Sequence, residues 1–209
     1  MGITRQIIIF TEKELNSIKE TNMKRRVRKS VFETNSSSVH TITISTSDAY
    51  LNVIANLKDN VIGFRSGQFG WEHEEYDDTD TKASYLWTGV VTSNLYDKDQ
   101  IEKIKDNIRS VLGAHGLSAW FEDYKVETYS DGKQYTDFKN WSYIDHSSCL
   151  DDWLDAMFPN HGDDINGDYL LWYLFNPESF IHTSNDNDDY DRYPTRNVGD
   201  DVMQFCKYN

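Results

Sequence analysis

The chain has 209 residues, of which 38% are hydrophobic and 14% aromatic, and its 21 Lys and Arg face 35 Asp and Glu for a formal charge of −14. That much ring surface excludes a disordered chain, and no apolar run approaches the roughly 18 residues of a membrane span or forms a signal-peptide core, so the expectation is a soluble, unsecreted, cytoplasmic protein. Only Cys149 and Cys206 occur, without CxxC or zinc-type spacing, which removes disulfide scaffolds, zinc fingers and thioredoxin-like chemistry.

In chain order, Ile7 to Phe10 reads as a short strand. Thr11 with Glu14 three residues on then forms a capping box for a helix that stops near Asn22. Residues 1–22 are thus expected as an N-terminal extension and 23–209 as the main domain. Met23 opens the basic run Lys24-Arg25-Arg26-Val27-Arg28-Lys29, which suits a linker, a second translation start, or a phosphate-contacting arm through Arg25, Arg26 and Arg28. Val39 to Ile44 alternates, so a strand should put His40, Ile42 and Ile44 on one face and Val39, Thr41 and Thr43 on the other. Asp48 is expected to cap a helix running through Leu57 and ending at Asp59-Asn60, Val61 to Phe64 to be a strand, and Lys82 to Val91 a helix.

The clearest helix starts at Asp97 with Gln100 three later. It carries Ile101, Ile104, Ile108, Val111 and Leu112 as one stripe, and Gly113 is placed at its C′ position. Leu117 to Phe121 and Lys125 to Tyr129 read as strands, with Ser130-Asp131-Gly132-Lys133 a hairpin-type turn. Leu150 to Phe158 is an amphipathic helix stopped by Pro159, and Tyr169 to Phe175 is apolar all round, a helix buried on every side. Ser179 to Thr183 returns as a strand before an Asx-rich loop. Short strands interspersed with helices, without repeats or a later linker, indicate a single α+β domain with a mixed or antiparallel sheet.

Charge is unevenly laid out. Residues 1–40 hold 8 basic and 4 acidic side chains, a balance of +4, so the rest of the chain carries −18. From Asp145 onward 14 acidic residues meet only Arg192, Arg196 and Lys207, a balance of −11. Such a field repels nucleic acid and attracts basic partners at a rate that falls with salt, although the same acidity also serves solubility alone.

Five segments carry residue types suited to chemistry. Thr34-Asn35-Ser36-Ser37-Ser38-Val39-His40 and Tyr143-Ile144-Asp145-His146-Ser147-Ser148 combine hydroxyls, a carboxylate and imidazoles. They read either as activated-nucleophile parts or as polar turns with hydrogen-bonded histidines and a serine N-cap. Trp71 to Asp78 gathers carboxylates, Glu74 among them, for acid–base work or as a solvated run, and His73 lacks the second histidine of an HExxH site. Asp186-Asn187-Asp188 begins like an EF-hand loop, but Asp191 and Asn197 stand at its sixth and twelfth positions, so no metal site and no cofactor is assigned. Ser45-Thr46-Ser47 and Glu72-x-Glu74 resemble the STS and ExE elements of arginine-specific ADP-ribosyltransferases.

The stretch from Arg28 to His40, RKSVFETNSSSVH, resembles the opening of a group of uncharacterised phage and mobile-element proteins of Gram-positive bacteria. Phe69-Gly70-Trp71-Glu72, Tyr143-Ile144-Asp145-His146 and Leu174-Phe175-Asn176 resemble further blocks of the same group. The resemblance implies an origin and a start near Met23, with no activity to carry over; small acidic accessory proteins of such elements are often inhibitors of host defence, anti-CRISPR proteins included. The expectation is therefore a non-enzymatic inhibitor whose acidic surface, Asp186, Asp188, Asp189 and Asp191 in particular, occupies the channel of a basic nucleic-acid-binding host protein or ribonucleoprotein. Membranes are not expected as partners, and direct nucleic-acid binding only through residues 24–29. The alternative is a hydrolase or transferase acting on nucleic acid or a nucleotide, nuclease-like or ADP-ribosyltransferase-like, with His40, Glu74, Asp145 and His146 converging.

Overall fold

A computed structural model describes residues 38–70, 73–93, 95–130, 132–139, 142–145, 149–185 and 201–206, all within one compact unit, Ser36–Asn209. The expected boundary at residue 22, the phosphate-contacting Arg25, Arg26 and Arg28, the residue His146, and the acidic loop residues Asp186, Asp188, Asp189 and Asp191 lie outside the described residues.

The alternating run near residue 40 becomes β1 (Ser38–Ser45), which is central in a four-stranded antiparallel sheet. On one flank it pairs with β10 (Val202–Cys206); on the other it pairs with β9 (Phe180–Asn185), beyond which lies the short edge strand β4 (Glu74–Tyr76). Alternation sorts the side chains as expected. Ile42 stands opposite Ile181 on one neighbour and Phe205 on the other, and Ile44 opposite Met203, so this face joins the hydrophobic core. The other face is polar, with Thr41 opposite His182, and Thr43 accepting a 3.2 Å bond from Gln204.

Three two-stranded pairs complete the β structure of the described residues: β2 (Val61–Phe64) parallel to β5 (Ser118–Phe121), β3 (Gln68–Phe69) parallel to β8 (Tyr143–Ile144), and the β6 (Lys125–Thr128) and β7 (Gln134–Asp137) hairpin. The fold is thus a single α+β domain with an antiparallel principal sheet. No helix among the described residues is long and apolar enough to cross a membrane.

Helix α1 (Ala49–Ala55) follows Asp48, but the Asp48 side chain makes no capping bond and the helix stops two residues before Leu57. Helix α2 (Thr79–Thr92) begins earlier than expected because Asp78 caps it, its carboxylate accepting from the Thr81 amide. Helix α3 (Lys98–Ala114) has the expected Asp97–Gln100 capping box. Its C-terminus is a Schellman motif two to three residues later than the sequence suggested. Leu117 N–H bonds to Leu112 O and Gly116 N–H to Gly113 O, and Gly116, at φ +75°, takes the left-handed position assigned to Gly113. Helices α4 (Cys149–Met157) and α5 (Gly167–Phe175) follow, the second capped by Asn166. The second is not buried all round: Tyr169 and Trp172 are partly exposed while Leu170, Leu171, Tyr173, Leu174 and Phe175 are buried.

Aromatic rings fill the space between sheet and helices. Phe69 meets Tyr85 at 4.9 Å, Tyr85 meets Trp153 at 5.8 Å and Trp153 meets Tyr173 at 5.0 Å, linking β3, α2, α4 and α5. Each such ring, removed from water, contributes about 2–3 kcal/mol to the folded state.

Candidate functional site

The two polar segments expected to supply chemistry meet in space at the start of β1. Ser38 Oγ donates to the Asp145 carbonyl, and the Asp145 amide donates to Phe69 O at 2.8 Å, continuing the β3–β8 pairing. Gly70, the next residue, offers its carbonyl to His40 Nε2 at 2.9 Å. Parts of three separated sequence blocks, around residues 38–40, 69–70 and 143–145, therefore form one cluster.

The chemistry of that cluster follows from the two bonds of His40. A carbonyl can only accept, so Nε2 carries the proton, and Nδ1 is left to accept from the Tyr85 hydroxyl at 2.9 Å. The imidazole is 1% exposed, and burial pulls its pKa down to about 4. The Gly70 bond opposes this shift, while the neighbouring His182 adds slightly to it. The ring is neutral at pH 7 with both nitrogens engaged by protein groups, which is the chemistry of a structural tie between β1, the Gly70 turn and α2.

Among the described residues, the candidate Glu74 is not brought to it. Glu74 is exposed on the edge strand and lies opposite Thr183, which in turn lies opposite His40. Two strand spacings, about 10 Å, therefore separate the Glu74 and His40 backbones. Asp145 contributes its backbone, through the bonds with Ser38 and Phe69. Ser45 and Ser47 sit at the opposite end of β1, where the Asn176 side chain donates to the Ser47 carbonyl at 2.9 Å and Ser45 Oγ donates to Glu178 at 2.9 Å. About five residues of strand, some 17 Å, separate Ser45 from His40, so the ADP-ribosyltransferase-like elements are not assembled with Glu74.

Two polar arrangements were missed by sequence reasoning. Lys82, 1% exposed, donates to the carbonyls of Asn176 and Ser179, both at 3.0 Å, and fastens the α5–β9 turn to α2. Its signal was a lone cation opening the apolar run Lys82 to Val91. Glu75 and His182 face one another across β4 and β9, with Oε1 and Nδ1 3.8 Å apart, a separation that becomes an ion pair only when the imidazole is charged. Among the described residues no group of three or more His, Cys, Asp or Glu could hold a metal ion.

The surface tells a different story from the cluster. Residues 145–185 contain eight carboxylates and no Lys or Arg. Asp151, Asp152 and Asp155 are exposed on α4, two of them in its first turn, where the helix dipole favours them. The Asp151 carboxyl is nonetheless held above its ordinary range, first by partial burial and then by Asp155 and Asp152. Asp155, and with it Asp151, adds to the burial that raises the neighbouring Tyr96 phenol. Lys103 pairs with Asp163 nearby, but no described cation pairs with Asp151, Asp152 or Asp155. Comparison with protein-family models, curated proteins and solved structures gave no match.

Proposed function

We propose that the chain is a non-enzymatic accessory protein of a phage or mobile element. In this reading it works in the host cytoplasm and inhibits a nucleic-acid-directed defence effector, in the manner of an anti-CRISPR protein, by laying its acidic surface in a basic nucleic-acid-binding channel. The observation that carries this reading is the uncompensated set Asp151, Asp152 and Asp155 on α4, within a 41-residue stretch, 145–185, lacking Lys and Arg. Asp155 and Asp152 add to the burial that raises the Asp151 carboxyl, and this crowding of like charge is unfavourable in the free protein. A partner's cations relieve it on binding, and a channel built to neutralise phosphates supplies those cations. Asp186, Asp188, Asp189 and Asp191, further along the sequence, add four more carboxylates to this reading.

The hydrolase or transferase alternative draws support from the meeting of Ser38, His40 and Asp145. It is opposed by the fact that His40 spends both ring nitrogens on Tyr85 and Gly70.

A pull-down from Gram-positive host lysate at low and high salt, with the natural chain and an Asp151→Asn/Asp152→Asn/Asp155→Asn variant, tests the proposal. A basic nucleic-acid-binding protein retained at low salt, released by high salt and bound at least tenfold less well by the variant is the expected outcome. Retention indifferent to both salt and the variant would show that another surface does the binding.

A further inference from the structure

We infer that the cleft beside the β6–β7 hairpin receives an arginine side chain of a protein partner. Among the described residues only six large apolar or aromatic side chains are exposed, and three of them, Tyr129, Tyr135 and Tyr143, line this one cleft of about 590 Å³. Its volume falls within the roughly 300–1,000 Å³ of small-ligand sites. The hairpin fixes the rings. The Tyr129 amide donates to Lys133 O at 2.9 Å, Gly132 at φ +84° makes the turn, and Tyr129 and Tyr135 meet edge to face at 4.6 Å. The Thr136 hydroxyl, on the cleft wall, donates to Val91 O and ties the hairpin to α2, so the rings stand on a braced element.

The lining chooses the guest. Glu127, directly opposite Tyr135 in the hairpin register, and Asp137 add two carboxylates, and among the described residues no Lys or Arg lines the cleft; Lys125, across from Asp137, is not part of it. Ring faces with carboxylates attract a cation and reject phosphate. A planar guanidinium stacks on a tyrosine face while its edge reaches a carboxylate, which a compact ammonium cannot do. The inference rests on the proposed function only in taking the partner to be a basic protein; the cleft uses none of the carboxylates on α4.

The test titrates N-acetyl-arginine amide into the isotopically labelled full chain, following the amides and rings of Tyr129, Tyr135 and Tyr143 by NMR, with N-acetyl-citrulline amide as the neutral isostere. Saturable shifts at the three tyrosines with the arginine probe alone are expected. Tyr135→Phe should keep them, and Tyr135→Leu should weaken binding about fivefold to tenfold. No saturable shift, equal shifts with citrulline, or a Tyr135→Leu variant that binds unchanged overturns the inference. The Asp151→Asn/Asp152→Asn/Asp155→Asn variant should leave the tyrosine shifts as they are; loss of them there would mean that the probe reads the general acidic field instead of the cleft. Failure of the cleft is thereby separated from failure of the acidic face.

Discussion

His40 couples the fold to pH with a definite sign. Its folded pKa of about 4 lies below the ordinary 6.5, so between these values the unfolded chain binds a proton that the folded chain refuses. The stabilising contribution is complete above about pH 6.5 and falls as the pH drops toward 4, by roughly 3 kcal/mol over that window. His40→Gln, which retains an N–H for Gly70 and an oxygen for Tyr85, should flatten this part of the stability curve relative to the natural chain. Parallel denaturation curves from pH 4.5 to 7 would show that His40 is not the group responsible. Lys82 is the second test at this scale. Lys82→Met strips two buried carbonyls of their donor and is expected to cost about 3 kcal/mol in urea denaturation, whereas a change under about 0.5 kcal/mol would show that the turn at Asn176 holds itself.

At the scale of elements, the end of α3 separates two glycines that look alike in sequence. Gly116 needs its positive φ, and a Cβ there meets nothing within 4 Å, so Gly116→Ala isolates backbone strain of about 1 kcal/mol. Gly113 is helical with equally open surroundings, so Gly113→Ala should stabilise by about 0.5–1 kcal/mol; the opposite pair of signs, read from thermal midpoints, would restore the earlier helix end. Elements governed by local chemistry were legible beforehand. The Asp97–Gln100 box, the alternation of β1 and the apolar stripe of α3 all appear in place, because each depends on contacts a few residues apart. Strands β3, β4, β8 and β10 were not anticipated, since two to five residues carry no usable period and the pairing that makes each a strand comes from a distant part of the chain. The cluster around His40 was half legible for the same reason. Its polar segments stood out, but the Tyr85 and Gly70 partners that decide its chemistry are 45 and 30 residues away.

For the whole molecule, the balance of −14 is unevenly distributed. The principal sheet and the aromatic core occupy the centre, while residues 145–185 present carboxylates without a single Lys or Arg. Dependence on salt follows from exposed charge, since screening acts over about 10 Å at 0.1 M. Occlusion also implies a stoichiometry, because a protein that works by filling a channel is consumed by each channel it fills. The decisive measurement is therefore a titration of the purified chain against the nucleic-acid-directed activity of the effector captured from lysate, at low salt and with the effector well above its dissociation constant. The account predicts a linear loss of activity that ends at about one chain per effector and recovers when salt releases the complex. Complete and lasting inactivation at a small fraction of one chain per effector would contradict it and establish turnover instead.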